Sequence, residues 1–161
     1  MSLLHFLTFS IHSDRDNGLD NGRLCLRSVG DTDAECRTLN VWVATSSLAN
    51  KQTAEQAHEL YGMIPPDYRL NPNRAYQVGL NPYDSRNVKG VEGSFYPIFP
   101  VEVLTDKGGR RSAFGIHRDA NTPGSLGCVV MSGERFVTFE ASMKALVAQG
   151  ITRLPLFVTI T

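Results

Sequence analysis

Residues 114–131, which read FGIHRDANTPGSLGCVVM, consist of two apolar runs separated by a polar stretch. The first run leads directly to His117, and the second begins immediately after Cys128. The residues between them include Asn, Pro, Gly and Ser, all of which favour turns. The segment therefore predicts two short strands joined by a turn, with His117 at the end of the first strand and Cys128 at the start of the second.

The rest of the chain predicts more short strands and two helices. Two Asn-Gly pairs within residues 14–22 are a hairpin signal, because type I′ turns need positive φ. Residues 53–61 form a helical pattern that ends before Gly62, and residues 136–149 carry an apolar stripe at helical spacing. The other predicted strands cover residues 3–11, 23–28, 38–45, 75–80, 96–104, 111–117 and 154–160.

These elements predict a mainly β fold with two helices, an α+β class best satisfied by a β-sandwich or barrel. The 161 residues fit a single domain over 1–161. Sixteen basic and sixteen acidic residues cancel, and there is no Lys/Arg-rich block, so nucleic-acid binding is disfavoured. The apolar runs are too short for a transmembrane helix, and the N-terminus lacks a basic signal-peptide start.

The three cysteines cannot all pair, so at least one thiol is free. Cys25 and Cys36 flank a turn-rich stretch. They either form a disulfide in an oxidising compartment or remain as small apolar residues. Cys128 stands apart, next to Gly127 and eleven residues after His117.

A cysteine and a histidine brought together can carry out acyl chemistry. Imidazole takes the thiol proton, and the thiolate attacks an acyl carbon. The tetrahedral oxygen then needs fixed backbone N–H donors, and a glycine beside the nucleophile lets a substrate approach the backbone closely. We therefore assign Cys128 as nucleophile and His117 as base, with Gly127 and Ser125 as oxyanion-hole and supporting residues.

Two charged residues that follow the histidine are candidates for binding or orientation. Arg118 either binds a substrate carboxylate or is a solvated loop charge, and Asp119 either orients the loop or His117, or forms a local turn. His117, Asp119 and Cys128 do not have the spacing of a known metal site, so no metal is expected. The HRD triplet at 117–119 lacks the other kinase motifs.

The arrangement Ile116-His117, followed by Ser125-Leu126-Gly127-Cys128-Val129, resembles the catalytic motif of the L,D-transpeptidase (YkuD-type) family. Residues 62–68, GMIPPDY, are similar to a Gly-x-Ile-Pro segment upstream in that family, so the resemblance spans residues 60–161. It implies a cysteine-dependent enzyme that cross-links, trims or cleaves peptidoglycan stem peptides through an acyl-enzyme at Cys128. No cofactor is implied.

Two positions differ from the family pattern. Val130 stands where the family usually has Arg, and Leu126 stands where a polar residue is common. They keep open an alternative, in which the domain is a catalytically weakened structural or binding module of a phage particle or secretion complex. With no export signal in the sequence, access to the cell wall or periplasm is expected through phage lysis, virion delivery or secretion.

Overall fold

A computed structural model describes residues 3–11, 22–30, 36–46, 64–65, 76–100, 102–104, 110–120, 124–125 and 127–160. Eleven strands and one helix lie within these residues. Among them, no helix has both the length and the apolar character that crossing a membrane requires.

Nine of the strands form one mixed sheet in the order β10-β9-β6-β4-β11-β1-β2-β3, with β5 paired to β6. The β1–β11 and β9–β10 pairs are parallel, and the other pairs are antiparallel. A separate hairpin joins β7 and β8. The strands are β1 Leu3–Ile11, β2 Gly22–Gly30, β3 Arg37–Ala44, β4 Tyr76–Gly79, β5 Tyr83–Ser85, β6 Gly93–Phe99, β7 Glu102–Leu104, β8 Arg110–Ser112, β9 Gly115–Arg118, β10 Val129–Met131 and β11 Arg153–Ile160.

The strand registers place most of the buried apolar side chains on one face of the sheet, here called the core face. Phe9 pairs with Leu24 and with Val158, for example, and Ile116 pairs with both Tyr96 and Val129. Side chains alternate between faces along a strand, so correct register makes these apolar positions continuous. The opposite side, here called the outer face, carries His117, Phe95 and Pro97.

The helix α1, Gly133–Ala148, covers part of the core face. Its N-terminus is capped by Ser132, whose hydroxyl accepts a hydrogen bond from the N–H of Arg135. Phe139 packs edge-on against Trp42 of β3 and Tyr96 of β6, with ring centroids 5.3 Å apart in each pair. Because α1 lies on the core face, the outer face stays uncovered by it.

The two edge strands of the sheet, β3 and β10, approach each other at one point. Thr45, just after β3, exchanges two backbone hydrogen bonds with Val130 of β10, at 2.9 and 2.8 Å. A single bridge is not a ladder, so the described strands form an open, curled sheet instead of the predicted sandwich or barrel.

The mainly β class is confirmed, but the described residues hold one helix, not two. That helix agrees with the one predicted at 136–149, while the helix predicted at 53–61 lies outside the described residues. The predicted strand 96–104 is divided between β6 and β7, which are separated at the cis bond from Phe99 to Pro100. The strand predicted at 111–117 is divided between β8 and β9.

Cys25 and Cys36 are separate free thiols in this structure. Cys25 pairs with Val41 in the β2–β3 ladder, whereas Arg37 pairs with Ser28, so Cys36 lies several residues further along the ladder. Four residues of strand span about 13 Å, beyond the reach of a disulfide, whose Cα atoms are usually within about 7 Å.

Candidate active site

The two predicted catalytic residues lie on neighbouring parallel strands, His117 in β9 and Cys128 directly before β10. Val129 pairs with Ile116 and Val130 pairs with His117, so Cys128 precedes the ladder beside Gly115. His117 is therefore two residues further along β9 than Gly115, the residue beside Cys128. This adjacency follows from parallel pairing, which requires the connection at 119–128 to return the chain to the same end of the sheet.

The His117 ring is fixed by its neighbour's backbone. Its Nδ1 lies 2.7 Å from the carbonyl oxygen of Arg118. Because a carbonyl only accepts, Nδ1 must carry the proton, which leaves Nε2 as the basic nitrogen. Burial lowers the pKa of the imidazole, opposed by the Arg118 hydrogen bond and by the charge of Asp119. His117, 6% exposed, is thus held neutral with a defined tautomer.

Phe95 supports the other side of the imidazole. Its ring stacks against His117 with centroids 5.9 Å apart, and Tyr83 stacks on Phe95 at 6.4 Å. Gly115 makes room for this arrangement, since a Cβ there would lie 2.2 Å from an atom of the Phe95 ring. A glycine before His117 is therefore required by packing and not by backbone conformation.

The Cys128 thiol donates a hydrogen bond to the carbonyl of Ala113, at 3.6 Å. Burial raises the pKa of the thiol to about 11, opposed by hydrogen bonding from the backbone of Gly115 and by the charge of Arg111. The resting thiol is therefore protonated at neutral pH. Among the described contacts, this thiol is bonded to backbone and not to the imidazole of His117.

Gly127 connects the nucleophile to the end of β3. Its N–H donates to the carbonyl of Ser46 at 3.0 Å, and its own carbonyl accepts from the Ser46 hydroxyl at 2.9 Å. The same hydroxyl accepts the N–H of Ile64 at 2.8 Å. Gly127 has φ of 115°, in the region that favours glycine. Its N–H is engaged here, so Gly127 supports the loop and does not offer a free oxyanion donor.

Ser125 and Asp119 brace the loop before the nucleophile. The Ser125 hydroxyl donates to the carbonyl of Cys128. The Asp119 carboxylate accepts the N–H of Gly124 at 3.0 Å, and burial raises its pKa despite this bond and the nearby His117. The Asp119 N–H donates to Met131 at 2.7 Å. Asp119 therefore orients the loop through hydrogen bonds, and reaches His117 only through its charge.

Two arginines lie near Cys128 and His117, and only Arg118 was a candidate from the sequence. The Arg118 side chain donates to the carbonyl of Val91 at 3.4 Å, and only its backbone carbonyl contacts His117. Arg111, which the sequence analysis did not single out, is 5% exposed and lies over the Phe114 ring at 5.1 Å. A Cβ on Gly127 would lie 2.6 Å from its guanidinium.

Arg111 is the buried cation beside the nucleophile. Burial lowers its pKa, opposed by electrostatic interactions with Tyr76 and Cys128. The run RRSAF at 110–114 does not distinguish Arg111 from Arg110, and the fold alone buries Arg111. Part of the family-like segment is also nearby: Ile64 is fully buried, and the Pro65 carbonyl accepts the Tyr76 hydroxyl at 2.9 Å. The remainder of 62–68 lies outside the described residues.

Within the part of the chain that the structure describes, no group of three or more His, Cys, Asp or Glu side chains is placed to hold a metal ion.

No family model and no curated protein matches the sequence. The structure of Bdellovibrio bacteriovorus Bd1075 is similar over 97% of this chain, with a TM-score of 0.48 and 14% identity. The match covers 52% of that chain, so this protein spans about half its length.

Proposed function

We propose that this protein is a cysteine-dependent enzyme that acts on peptidoglycan stem peptides, as an L,D-transpeptidase-like acyltransferase or peptidase. The observation that carries the proposal is the His117 ring, whose Nδ1 is bonded to the Arg118 carbonyl while Cys128 stands at the start of the adjacent parallel strand. This leaves Nε2 as a base on the strand beside the thiol.

The proposed reaction begins with transfer of the Cys128 proton to His117 Nε2. The sulfur attacks the carbonyl carbon of the bond between an L-centre and a D-centre, and the carbon–nitrogen bond breaks as the imidazolium returns its proton to the leaving amine. The thioester is then resolved by water, giving a shortened stem, or by an amine, giving a cross-link. Arg111 lies close enough to stabilise negative charge at the sulfur during transfer.

The test is incubation of the protein with purified muropeptides, wild type beside Cys128→Ala, read by mass spectrometry. We expect wild type alone to shorten, cut or join stem peptides, with the mass change identifying which. His117→Ala should reduce the rate by about 10²-fold or more, the usual contribution of a general base. Turnover by Cys128→Ala would contradict the proposal, as would absence of any wild-type product.

A second candidate function is a binding or structural module of a phage particle or secretion complex. The observation that favours it is the Cys128 thiol, whose pKa is raised to about 11 and whose hydrogen bond goes to the Ala113 carbonyl. The two candidates differ in the muropeptide assay: a module binds stem peptides or protein partners equally well with Cys128→Ala, and converts no muropeptide in either form.

A further inference from the structure

The end of β8 and the two residues that follow it form one wall of the site around Cys128. The Arg111 guanidinium and the Phe114 ring both lie beside Gly127, since a Cβ there would be 2.6 Å from an atom of each. The carbonyl of Ala113 accepts the hydrogen bond of the Cys128 thiol. Ala113 has φ of 61°, in the left-handed region that alanine rarely adopts. Backbone strain of this kind is concentrated at functional sites.

The fold buries a permanent positive charge in this wall. Arg111 is buried while its neighbours in β8, Arg110 and Ser112, are exposed. Its guanidinium carbon lies 5.1 Å from the centre of the Phe114 ring, a cation–π contact that fixes its position. Among the side chains that the structure describes, Arg111 is the only buried one that is always cationic. A charge away from bulk water acts strongly on the groups around it.

The guanidinium lies close to the nucleophile as well as to the glycine before it. A Cβ is about 1.5 Å from its Cα, and consecutive Cα atoms are about 3.8 Å apart, so a guanidinium nitrogen lies within about 8 Å of the Cys128 Cα. The charge of Arg111 also lowers the pKa of the Cys128 thiol, against the larger effect of burial. Both observations place Arg111 and Cys128 in one site.

The other described groups around the thiol are engaged or have the wrong polarity to stabilise an oxyanion. The Gly127 N–H donates to the Ser46 carbonyl at 3.0 Å. The Gly115 backbone bonds the sulfur itself. The Ala113 carbonyl is an acceptor, which repels negative charge. Of the described groups that contact Gly127 or the thiol, the Arg111 guanidinium is the one that combines N–H donors with a positive charge.

We propose that the Arg111 guanidinium, and not the Gly127 N–H, stabilises the oxyanion that forms when Cys128 attacks a carbonyl carbon. The inference rests on the proposed function for the reaction. The carbon–sulfur bond forms as the carbonyl π electron pair moves onto oxygen, and the guanidinium donates hydrogen bonds to that oxygen. The electron pair then returns as the bond from carbon to the leaving group breaks. Arg111 is accordingly a catalytic residue for the oxygen as well as a counter-charge for the sulfur.

The experiment compares two small reagents that reach the half-buried Cys128 thiol. Iodoacetamide alkylates a thiolate without forming an oxyanion, whereas p-nitrophenyl acetate acylates it through one. Both reactions need the thiolate, so the ratio of acylation rate to alkylation rate at one pH cancels the thiolate fraction. Each rate is corrected by subtracting that of Cys128→Ala, which removes reaction at other groups.

We expect the ratio for wild type to exceed that for N-acetylcysteine, and Arg111→Met to lower it about 10²-fold, the usual effect of losing one oxyanion donor. Arg111→Gln, a second neutral variant that keeps a polar group, should lower it at least about tenfold. Arg111→Lys should keep part of the ratio, since an ammonium retains the charge but not the planar fork.

Arg110→Met is the matched control, because Arg110 is the exposed neighbour that pairs with Glu102 on the surface. It should leave the ratio unchanged. Thermal unfolding followed by circular dichroism identifies the variants that fold. Equal ratios in wild type and in either folded neutral variant would overturn the proposal, as would a wild-type ratio no higher than that of N-acetylcysteine.

The outcomes for Arg111 and for the enzyme are separable, because neither reagent is a peptidoglycan fragment. If wild type converts muropeptides but the neutral variants keep the wild-type ratio, the role of Arg111 is wrong and the enzyme stands. If the ratio falls in the neutral variants and wild type converts no muropeptide, Arg111 acts at the oxyanion and the peptidoglycan proposal fails.

Discussion

The Cys128 thiol titrates differently in the folded protein and in the unfolded chain. Its pKa rises from 9.0 to about 11 because folding buries it. Between those values the unfolded chain has lost the proton and the folded protein still holds it, so the unfolded state is favoured progressively as pH rises. The stabilisation is complete below pH 9 and is lost as the pH approaches 11.

We therefore expect the free energy of unfolding to fall by about 2 to 3 kcal/mol more between pH 9 and 11 in the wild type than in Cys128→Ser. Serine has nearly the same shape and does not titrate in this range, so the difference isolates the thiol. Urea unfolding at several pH values measures it, with Cys36→Ser as the control for an exposed cysteine. Parallel pH dependence of wild type and Cys128→Ser would show that the thiol is not buried as described.

Single residues also mark what the sequence could and could not reveal. His117 and Cys128 could be predicted as a candidate pair on neighbouring strands because their side-chain chemistry is rare and their spacing is short. Arg111 was not, because its importance comes from folding β8 beside Gly127 and Phe114. The role of Ser46 was equally hidden, since its three hydrogen bonds join it to Ile64 and Gly127, which lie 18 and 81 positions away in the sequence.

At the scale of elements, the residue that follows β3 by two positions, Ser46, is hydrogen-bonded to Gly127, next to Cys128. We expect Ser46→Ala to remove the acceptor of the Ile64 N–H and the donor to the Gly127 carbonyl, both buried. Each unsatisfied group costs about 1–3 kcal/mol. Chemical denaturation should show this loss, and muropeptide turnover should fall as the Cys128 loop loosens.

Ser112→Ala is the matched control, because that serine is exposed on β8. It should change neither stability nor turnover by a measurable amount. Equal stability of Ser46→Ala and Ser112→Ala would mean that the Ser46 hydroxyl does not hold the nucleophile loop.

The packing between β6 and β9 depends on the absence of a side chain at Gly115. In Gly115→Ala the new Cβ meets the Phe95 ring at 2.2 Å, so the ring must move away from His117. Overpacking of this kind costs about 1–3 kcal/mol, and we expect a lower melting temperature together with reduced turnover. Gly133→Ala is the control, since a Cβ there meets nothing within 4 Å and lies in the first turn of α1.

We expect the two glycine-to-alanine changes to differ in their effect on stability, with only Gly115→Ala destabilising the protein. Alanine favours a helix over glycine by up to about 1 kcal/mol, so Gly133→Ala should leave the protein unchanged or slightly more stable. If Gly115→Ala were as stable as wild type, the Phe95 side chain could adopt another conformation without cost. Its stacking on the His117 imidazole would then not be required for stability.

Strands and helices could be predicted from the sequence where local patterns of apolar and turn-forming residues determine them. Apolar runs bounded by turn signals located β1, β2 and β11, which is the last strand in the chain, and the apolar stripe located α1. The break between β6 and β7 was not visible, because an apolar run continues through Pro100. The prediction therefore merged two strands that pair with different partners.

For the whole molecule, the pairing of distant strands was the part that local sequence could not supply. β1 lies parallel to β11, the last strand, and this pair unites both ends of the described chain in the centre of the sheet. A sandwich, a barrel and a curled open sheet all give the same alternation along each strand. They differ only in which edges meet, and that depends on contacts between residues such as Thr45 and Val130.

The bridge between those two residues joins the two edge strands of the sheet, β3 and β10. Whether it couples their stability can be tested. Thr45→Pro removes the N–H that donates to the Val130 carbonyl. If the bridge couples the two edges, amide exchange should quicken both at 41–46 and at 127–131, while the central strands β1 and β11 keep their protection. We expect the global stability to fall by about 1–3 kcal/mol, the cost of one unsatisfied buried carbonyl.

Leu39→Pro is the control on the same strand. Leu39 is exposed at the irregularity in the β2–β3 register, where the residue has no direct cross-strand partner and proline is tolerated. Its exchange effect should stay within β3. Faster exchange in Thr45→Pro confined to 41–46 would show that the edges fold independently. Faster amide exchange at both 41–46 and 127–131 would instead mean that two neighbours hold the segment around Cys128 in place. They are β9, which pairs with β10, and the end of β3, which bridges to it.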